Sequence, residues 1–288
     1  MAAHDRALFP HARNDVPTFR VAAASYLEHG GEGRYLGRIL DHLGDKPVAE
    51  IAPFDIKQMA LALYPNSANA TRNRQALTPA RAVLMHAYER GWCPLMRLKR
   101  FRQEPARRKS PASQTWLHLF CRQATLDGLP HLAALVLFMT TTGARVSEAV
   151  RLRWSEVDLV GRSAVLLKTK TGTNSLRHLT NELVGRLRDM AISQPADAPV
   201  FRYKSRYGVN DSIKAVCQRA GIAYKSSHAC GRHSFATNAV SLGTDIREAM
   251  DAGGWRSSAV FLETYVHVAN AGRAVADRFN AFQFSVEA

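Results

Sequence analysis

The stretch LAALVLFMTTTGARVSEAVRLRW, residues 132–154, is the part of the chain that decides the expected fold. Residues 132–140 are almost all apolar, which predicts a strongly apolar helix. A turn at Thr142 and Gly143 follows it. A second helix is then expected from Arg145 to Leu152. Arg145 should therefore lie at the start of a helix, directly after a tight turn.

One part of the surrounding sequence does not follow helical periodicity. The segments SAVLL (163–167) and SLRHL (175–179) predict two strands of a hairpin, with a turn built on residues 171–174. Upstream, Ser113 predicts the cap of a helix that begins near Trp116. Downstream, helical patterns recur near residues 181–191, 209–220, 231–242, 245–252, 257–266 and 271–282.

The first region, roughly residues 17–96, is predicted to consist of helices. Apolar residues recur at helical spacing in residues 18–29, 34–43 and 53–64. Ser67 or Asn69 is expected to cap a long fourth helix through Arg90. Pro79 inside it predicts a kink or a break, because proline lacks the N–H that the helix needs.

The charge of the chain is strongly positive. Its 288 residues hold 39 lysines and arginines against 24 acidic residues, a net charge of +15, which favours a polyanionic partner. Residues 97–109 concentrate seven basic residues beside a single acid. This run is compatible with a solvated linker and equally with a strap along a phosphate backbone. Its candidate DNA-binding residues are Arg97, Lys99, Arg100, Arg102, Arg107, Arg108 and Lys109.

Several classes of protein fit the sequence poorly. Its four cysteines form no CxxC pair, which argues against a zinc site or a disulfide framework and indicates reduced, mostly buried thiols. No run approaches the ~18 consecutive apolar residues of a membrane span. The first residues contain no apolar core of a secretion signal, so a cytoplasmic protein is expected. No metal or other cofactor is predicted.

Four polar segments follow one another along the second region. They are TTGARVSEAVRLRW with Arg145, KTKTGTNSLRHL with Lys170, HACGRHSFAT with His228 and Arg232, and GGWRSSAVFLETYVHV with Trp255 and Tyr265. Each residue alone is better explained by packing or by a solvated surface. As an ordered set, over about residues 113–268, they resemble the tyrosine recombinase, or phage integrase, family.

The resemblance implies a role for each position. Arg145 and Arg232 match the two arginines that bind the scissile phosphate, and Tyr265 matches the nucleophile. Lys170 matches the hairpin lysine that protonates the leaving 5′-oxygen, with Lys168 as the alternative. His228 matches the histidine before the second arginine, and Trp255 stands where the family has His or Trp. These six residues form the predicted catalytic set.

The sequence departs from the family pattern in its spacing. His228 precedes Arg232 by one residue more than the commonest arrangement, and Gly231 is expected to absorb the difference. The interval from Trp255 to Tyr265 is also one residue longer than in the commonest arrangement of the family. Glu148, one turn later on the same helix, is expected to be structural, since it can pair with Arg145 or with a neighbour and hold its side chain. His233 and His267 are expected to be structural.

The resemblance also implies an architecture and an activity. The expected fold is mainly α: a SAM-like, core-binding helical bundle, then a mostly helical α+β catalytic domain with a small antiparallel sheet. The implied divisions are an extension (1–16), a DNA-binding domain (17–105), a basic linker (106–112), a catalytic domain (113–270) and a helical tail (271–288).

The implied function is site-specific DNA recombination through a 3′-phosphotyrosyl intermediate, without metal or ATP, by a protein of phage, mobile-element or related bacterial origin acting at the nucleoid. The implied partners are double-stranded DNA with an inverted-repeat site and three further copies of the chain, which form a tetramer on two sites. Two alternatives remain at this point: a type IB topoisomerase-like enzyme, and a DNA-binding protein of the same fold without catalysis.

Overall fold

The structure, a computed structural model, describes residues 17–104, 110–167 and 172–265, together with the single residues Ala276 and Phe279. The described chain divides into two compact units. The first contains the described residues up to 104, and the second contains those from 110 onward. Each has its own hydrophobic core.

Helices build the first unit. They are α1 (Phe19–Glu28), α2 (Leu36–Leu43), α3 (Pro53–Leu63), α4 (Asn69–Arg72) and α5 (Thr78–Glu89), with a π-helical segment, Asn73–Leu77, between the last two. The Thr18 side chain caps α1 by accepting a hydrogen bond from the Val21 N–H. One apolar face of each long helix is buried in a common core that includes Phe19, Ile39, Ile56, Met59 and Val83.

The long fourth helix differs from its prediction in two details. Its cap is Ala68, which has no side-chain hydrogen bond, so the prediction of Ser67 or Asn69 at this position was wrong. The predicted irregularity near Pro79 is present as the π-helical turn at residues 73–77, just before the proline. A π turn changes the backbone hydrogen bonding there and so accommodates a residue that cannot donate one.

The second unit is also mostly helical. Its helices are α6 (Gln114–Leu126), α7 (Pro130–Thr142), α8 (Val146–Ala149), α9 (Asn181–Ala191), α10 (Arg206–Arg219), α11 (Ser234–Ser241), α12 (Ile246–Gly253) and α13 (Ser258–Tyr265). Almost the whole of α7 is buried, as its apolar sequence predicts. Ser113 caps α6 by accepting from the Trp116 N–H. Residues 132–139 of helix α7 are all buried and belong to the core of the second unit.

A small antiparallel sheet completes the second unit. Strand β2 (Ser163–Leu166) pairs with β3 (Ser175–His178) in the predicted hairpin, with Ala164 opposite Arg177. A third strand, β1 (Val157–Asp158), pairs with β2 and was not predicted, since two residues are too few to show alternation. The mainly α fold with a small antiparallel sheet is confirmed.

The structure also tests the predicted length of the helix after Gly143 and the predicted burial of the cysteines. The helix predicted from Arg145 to Leu152 spans only Val146–Ala149, so its predicted length was wrong. The four cysteines are free and buried, as predicted. The tail helix predicted at 271–282 lies outside the described residues, apart from Ala276 and Phe279. In the described ranges no helix is long and apolar enough to cross a membrane.

Candidate active site

Arg145 lies where α7 turns into α8. Gly143 ends α7 with a φ of +68°, and a Cβ there would come within 2.8 Å of the Phe235 ring, so the turn requires glycine. Arg145 follows as the N-cap of α8. The carboxylate of Glu148 accepts hydrogen bonds from the Arg145 N–H, at 2.9 Å, and from its Nη1, at 2.6 Å. Glu148 is buried and holds the half-buried guanidinium in one orientation, as predicted for this pair.

Arg232 is almost completely buried, with 4% of its surface exposed. Its Nη1 donates to the carbonyl oxygens of Gly143 and Gly253, both at 2.7 Å, and its Nη2 donates to that of Gly254 at 3.2 Å. Burial, reinforced by the nearby charge of Arg145, lowers the pKa of Arg232 to about 10. The guanidinium is therefore fixed by backbone carbonyls between two turns.

The segment that carries Arg232 is π-helical, from Ala229 to His233, and continues into α11. Its backbone leaves helical geometry at Gly231, with φ −96° and ψ −106°, where the sequence predicts that the extra residue is absorbed. A Cβ on Gly231 would lie 2.7 Å from Cβ of Met139 in α7. Thr140 donates to the Cys230 carbonyl at 2.6 Å, which satisfies a group freed by the irregular turn.

His228 lies just before this segment and is exposed. Its predicted role stays a prediction. His233 is buried, and its ring lies 5.2 Å from that of Tyr265. The expected structural role of His233 also stays a prediction.

Tyr265 ends α13 inside an aromatic cluster. Its ring lies 5.6 Å from that of Trp255, edge to face, and 5.4 Å from that of Phe261. Only 5% of Tyr265 is exposed. The Trp255 ring also lies beneath Arg232, whose Cζ is 3.5 Å from the ring centre. The ring of Trp255 therefore contacts both the buried Arg232 and the buried Tyr265.

Gly253 and Gly254 shape the turn between α12 and Trp255. A Cβ on Gly253 would overlap the Trp255 ring, so only glycine permits this close approach. Gly254 has a φ of +66°, and a Cβ there would lie 2.7 Å from Nη2 of Arg177. The turn presents its carbonyl groups to arginines on both sides.

Sequence reasoning missed Arg177 on β3. It is 2% exposed and donates from Nη1 to the Ala252 carbonyl and from Nη2 to the Gly253 carbonyl at 3.2 Å. Strand alternation could have revealed it, because residue 177 shares a face with buried Leu179. An arginine at such a position must be buried.

Arg145 and Arg177 line a small open cleft, and the buried Arg232 lies close to both of them. The cleft has a volume of about 170 Å³ and is lined by Arg145, Thr173, Ser175, Arg177, Asp251, Gly254, Trp255 and Arg256. At its rim, the opposite charges of Arg256 and Asp251 are both exposed. Beside the cleft, Arg145 forms an ion pair with the carboxylate of Glu148, which also interacts electrostatically with Arg177 and Arg232. These four groups carry an excess of two positive charges, which favours an anion such as a phosphate.

The lysine of the predicted set lies outside the described residues, as does its alternative, Lys168. Residues 168–171, which include Lys170, are not described, although both strands of their hairpin are. The structure therefore brings together Arg145, Arg232, Trp255 and Tyr265 and leaves the lysine assignment as a prediction. Within the described ranges, no group of three or more His, Cys, Asp or Glu side chains could hold a metal ion.

The basic segment of the first unit has an ordered course up to residue 104. Asn73, buried in the π-helical turn, exchanges two hydrogen bonds of 2.9 Å with the backbone of Phe101. Asn69 donates to the Arg102 carbonyl at 2.8 Å. Met96, Leu98 and Phe101 pack on the core. The exposed side chains are Arg97, Lys99, Arg100 and Arg102, whereas Arg107, Arg108 and Lys109 lie outside the described residues.

The arrangement defines a class of domain: a mostly helical unit in which arginines, a tryptophan and a buried tyrosine cluster beside a small open cleft. Residues 122–271, just over half of the chain, match the Phage integrase family. The chain therefore belongs to the phage integrase family, the tyrosine recombinases.

Relatives of known name agree with this membership. The tyrosine recombinase XerD of Bifidobacterium longum is 30% identical over 151 residues, 47% of this chain and 49% of that protein. XerD of Mycobacterium tuberculosis is 27% identical over 256 residues, 79% of this chain and 82% of that protein. The chain thus spans about half of the first relative and about four fifths of the second.

Solved structures show the same fold. The Tn1549 transposon integrase (residues 82–397), in complex with circular intermediate DNA, superposes with a TM-score of 0.72 at 16% identity, covering 90% of this chain and 99% of that one. A λ integrase (75–356) dimer bound to a core site gives a TM-score of 0.65 at 16% identity, covering 84% and 92%.

Proposed function

We propose that this chain is a site-specific DNA recombinase that cleaves and rejoins DNA through a 3′-phosphotyrosyl bond to Tyr265. The tyrosine oxygen attacks phosphorus and displaces the 5′-oxygen of the next nucleotide. The reverse attack by a 5′-hydroxyl releases the tyrosine and restores a phosphodiester. Because the covalent bond replaces the broken one, rejoining needs no ATP.

The observation that carries this proposal is the cluster of three arginines beside one carboxylate. Such an excess of positive charge is costly in a buried site unless it serves an anion. Charge increases on the phosphoryl oxygens as the tyrosine attacks, and donors fixed in advance stabilise that charge. Arg145 is held by Glu148 and Arg232 by three backbone carbonyls, so both are fixed before DNA binds.

The same cluster supports a reaction without a metal ion. In phosphoryl transfer a bound cation neutralises the non-bridging oxygens. Arg145 and Arg232 supply that charge here, and guanidinium groups match two phosphate oxygens at once. Removing one such donor in comparable sites costs on the order of 10²–10³ in rate.

Two further groups complete the proposed chemistry. Lys170, on the hairpin between β2 and β3, is assigned as the acid that protonates the leaving 5′-oxygen. His228, four residues before Arg232, is assigned as a hydrogen-bond partner of the phosphate, and the proton of the attacking Tyr265 passes to His228 or to a phosphate oxygen. Both assignments rest on the family resemblance.

The proposed partner is double-stranded DNA with an inverted-repeat site. The solved relatives include integrases in complex with DNA. The exposed basic residues of the segment 97–102 face away from the first core, which supports a strap that follows the phosphate backbone. Four copies are expected to assemble on two sites, from a chain that is monomeric without DNA. A tetramer in the absence of DNA would contradict that assembly.

The test is covalent capture. The protein is incubated with a pool of random-sequence duplexes, and adducts that survive detergent are isolated and sequenced. We expect the wild-type protein to enrich one inverted repeat, and Tyr265→Phe to give no adduct. Tyr224→Phe, which alters an exposed tyrosine of the same unit, should leave the adduct unchanged. An adduct that persists in Tyr265→Phe would remove Tyr265 from the mechanism.

The same experiment separates the alternatives. Adducts without sequence preference, together with relaxation of any supercoiled plasmid, would identify a type IB topoisomerase-like activity. Sequence-specific binding with no adduct in the wild-type protein would identify a DNA-binding protein without catalysis. The lysine choice is resolved by Lys170→Ala and Lys168→Ala, of which only the first is expected to abolish the adduct.

A further inference from the structure

Arg177 is a buried cation of the arginine cluster to which the proposed chemistry assigns no contact with the phosphate. It lies on β3 between Leu176 and His178, which are both exposed, and its own side chain points into the second unit. In the part of the chain that the structure describes, no carboxylate lies within ion-pair distance of it. Burial lowers the pKa of Arg177, since removing a cation from water costs free energy. Because burial of this cation costs free energy, we expect Arg177 to have a specific role in the structure or the function of the unit.

The groups that hold Arg177 are the last carbonyls of helix α12. Its Nη1 and Nη2 donate to Ala252 and Gly253, which the helix leaves without internal partners. The C-terminal end of a helix also carries partial negative charge, which stabilises a cation there. Arg177 therefore connects strand β3 to the end of α12 through backbone groups alone.

One of these carbonyls is shared with the proposed phosphate ligand. The Gly253 oxygen accepts from Arg177 Nη2 at 3.2 Å and from Arg232 Nη1 at 2.7 Å. The next residue, Gly254, accepts from Arg232 Nη2, and Trp255 lies beneath the Arg232 guanidinium. Movement of this turn would thus change three contacts of Arg232 at once.

We propose that Arg177 is a positioning residue for phosphoryl transfer, which locks the turn Gly253–Trp255 against β3 and so fixes the guanidinium of Arg232. The inference rests on the proposed function of the site. Arg177 itself does not touch the DNA in this assignment. Its Nε is buried and has no hydrogen-bond partner among the described atoms, and less than 1 Å² of it is accessible. That geometry suits a clamp between two elements better than a ligand of an incoming phosphate.

Three roles for Arg177 predict different measurements. A positioning residue affects the rate of the chemical step and leaves DNA affinity nearly unchanged, since Arg145 and the exposed basic segment still bind phosphates. A direct phosphate ligand affects affinity as well. A residue needed only for folding changes thermal stability without changing the rate of the folded protein.

The experiment compares Arg177→Lys and Arg177→Met with the wild-type protein on the duplex recovered by covalent capture. His178→Gln, an exposed neighbour on the same strand, is the matched control. The adduct rate constant is measured at saturating protein, and the dissociation constant is measured in a Tyr265→Phe background, where cleavage is absent. Thermal unfolding is recorded for every variant.

We expect Arg177→Met to form the adduct on the order of 10²-fold more slowly, the loss that follows removal of one fixed donor. Arg177→Lys should recover part of this rate, because an ammonium keeps the charge but lacks the planar fork that reaches two carbonyls. Dissociation constants should stay within about twofold of the wild-type value, and His178→Gln should match the wild-type protein throughout.

Two outcomes would overturn the proposal. A dissociation constant that weakens in parallel with the rate would make Arg177 a phosphate ligand. A normal rate constant in folded Arg177→Lys, whatever its thermal stability, would restrict Arg177 to folding, and this variant keeps the test valid if Arg177→Met does not fold. Absence of any adduct with the wild-type protein would instead contradict the proposed function, so the two failures are distinguishable.

Discussion

Glu148 closes a ring of hydrogen bonds with Arg145: its two carboxylate oxygens accept from the backbone N–H and from the guanidinium of the same arginine. The same carboxylate also interacts electrostatically with the buried Arg177 and Arg232 and favours their charged forms. It therefore both orients one guanidinium and offsets the repulsion among three.

Replacement of Glu148 by glutamine should separate these effects from DNA binding. Gln keeps the shape but loses the charge, so we expect a loss of about 1–3 kcal/mol in the free energy of unfolding. Adduct formation should slow while DNA affinity stays level or rises. Chemical denaturation measures the free energy of unfolding, adduct kinetics measure the cleavage rate, and a DNA titration measures the affinity. Glu182→Gln, at an exposed pair with Arg186, is the control, with a loss of about 0.5 kcal/mol and normal kinetics. Faster cleavage in Glu148→Gln would contradict the orienting role.

Alanine at Gly254 should disturb the turn that holds Arg232. Its φ of +66° costs alanine about 1–2 kcal/mol, and the added Cβ would also press on Arg177. Gly221→Ala is a matched control, because Gly221 has a φ of +65° and nothing lies within 4 Å of its Cβ position. Both variants should lose stability, but only Gly254→Ala should also slow adduct formation. Equal kinetics in the two variants would show that the turn does not control the site.

Removal of the Asn73 side chain should loosen the basic segment. The variant Asn73→Ala loses two hydrogen bonds to Phe101, each worth about 1 kcal/mol. Part of that free energy must then be supplied when DNA orders the segment, so we expect about tenfold weaker binding. Titrations at several salt concentrations measure affinity and the number of phosphate contacts. Gln75→Ala, in the same π-helical turn, should bind normally. A DNA affinity of the wild-type protein that does not change with salt concentration would contradict the proposal that the basic segment follows the phosphate backbone.

Acid should weaken the first unit through His86. Its Nε2 accepts from Arg90 Nε at 3.0 Å, and burial, with the charges of Arg90 and His29, lowers the pKa of His86 below its ordinary value of 6.5. The unfolded chain therefore binds a proton more readily, so this contribution is complete above pH 6.5 and is lost as the pH falls below it.

The free energy of unfolding, measured between pH 7.5 and 5.5, tests this sign. We expect stability to fall toward pH 5.5, and the fall to be smaller in His86→Gln, which cannot take up the proton. His131, whose pKa is also lowered by burial, contributes in the same direction in both proteins. The control is His42→Gln, at an exposed position of the same unit. An identical pH dependence in His86→Gln and the wild-type protein would contradict the assignment.

The sequence by itself determined the elements of this protein and the order of its candidate residues. Helix α7 follows from an apolar run, and the hairpin follows from two alternating stretches. The irregular backbone at Gly231 follows from the extra residue between His228 and Arg232. These properties are local, since they depend on periodicity and turn chemistry within a few residues. Local patterns failed where the element was too short to have a period, as in β1 and the single turn of α8.

Only the tertiary structure decided what surrounds each guanidinium. Residues 143, 177, 232 and 253 are far apart in the chain, and no spacing rule indicates that the carbonyl of Gly253 serves both Arg177 and Arg232. Nor does the sequence reveal that Trp255 lies between Arg232 and Tyr265. Such contacts depend on how helices and the sheet pack, because burial removes water and leaves distant backbone groups as the partners of a buried charge.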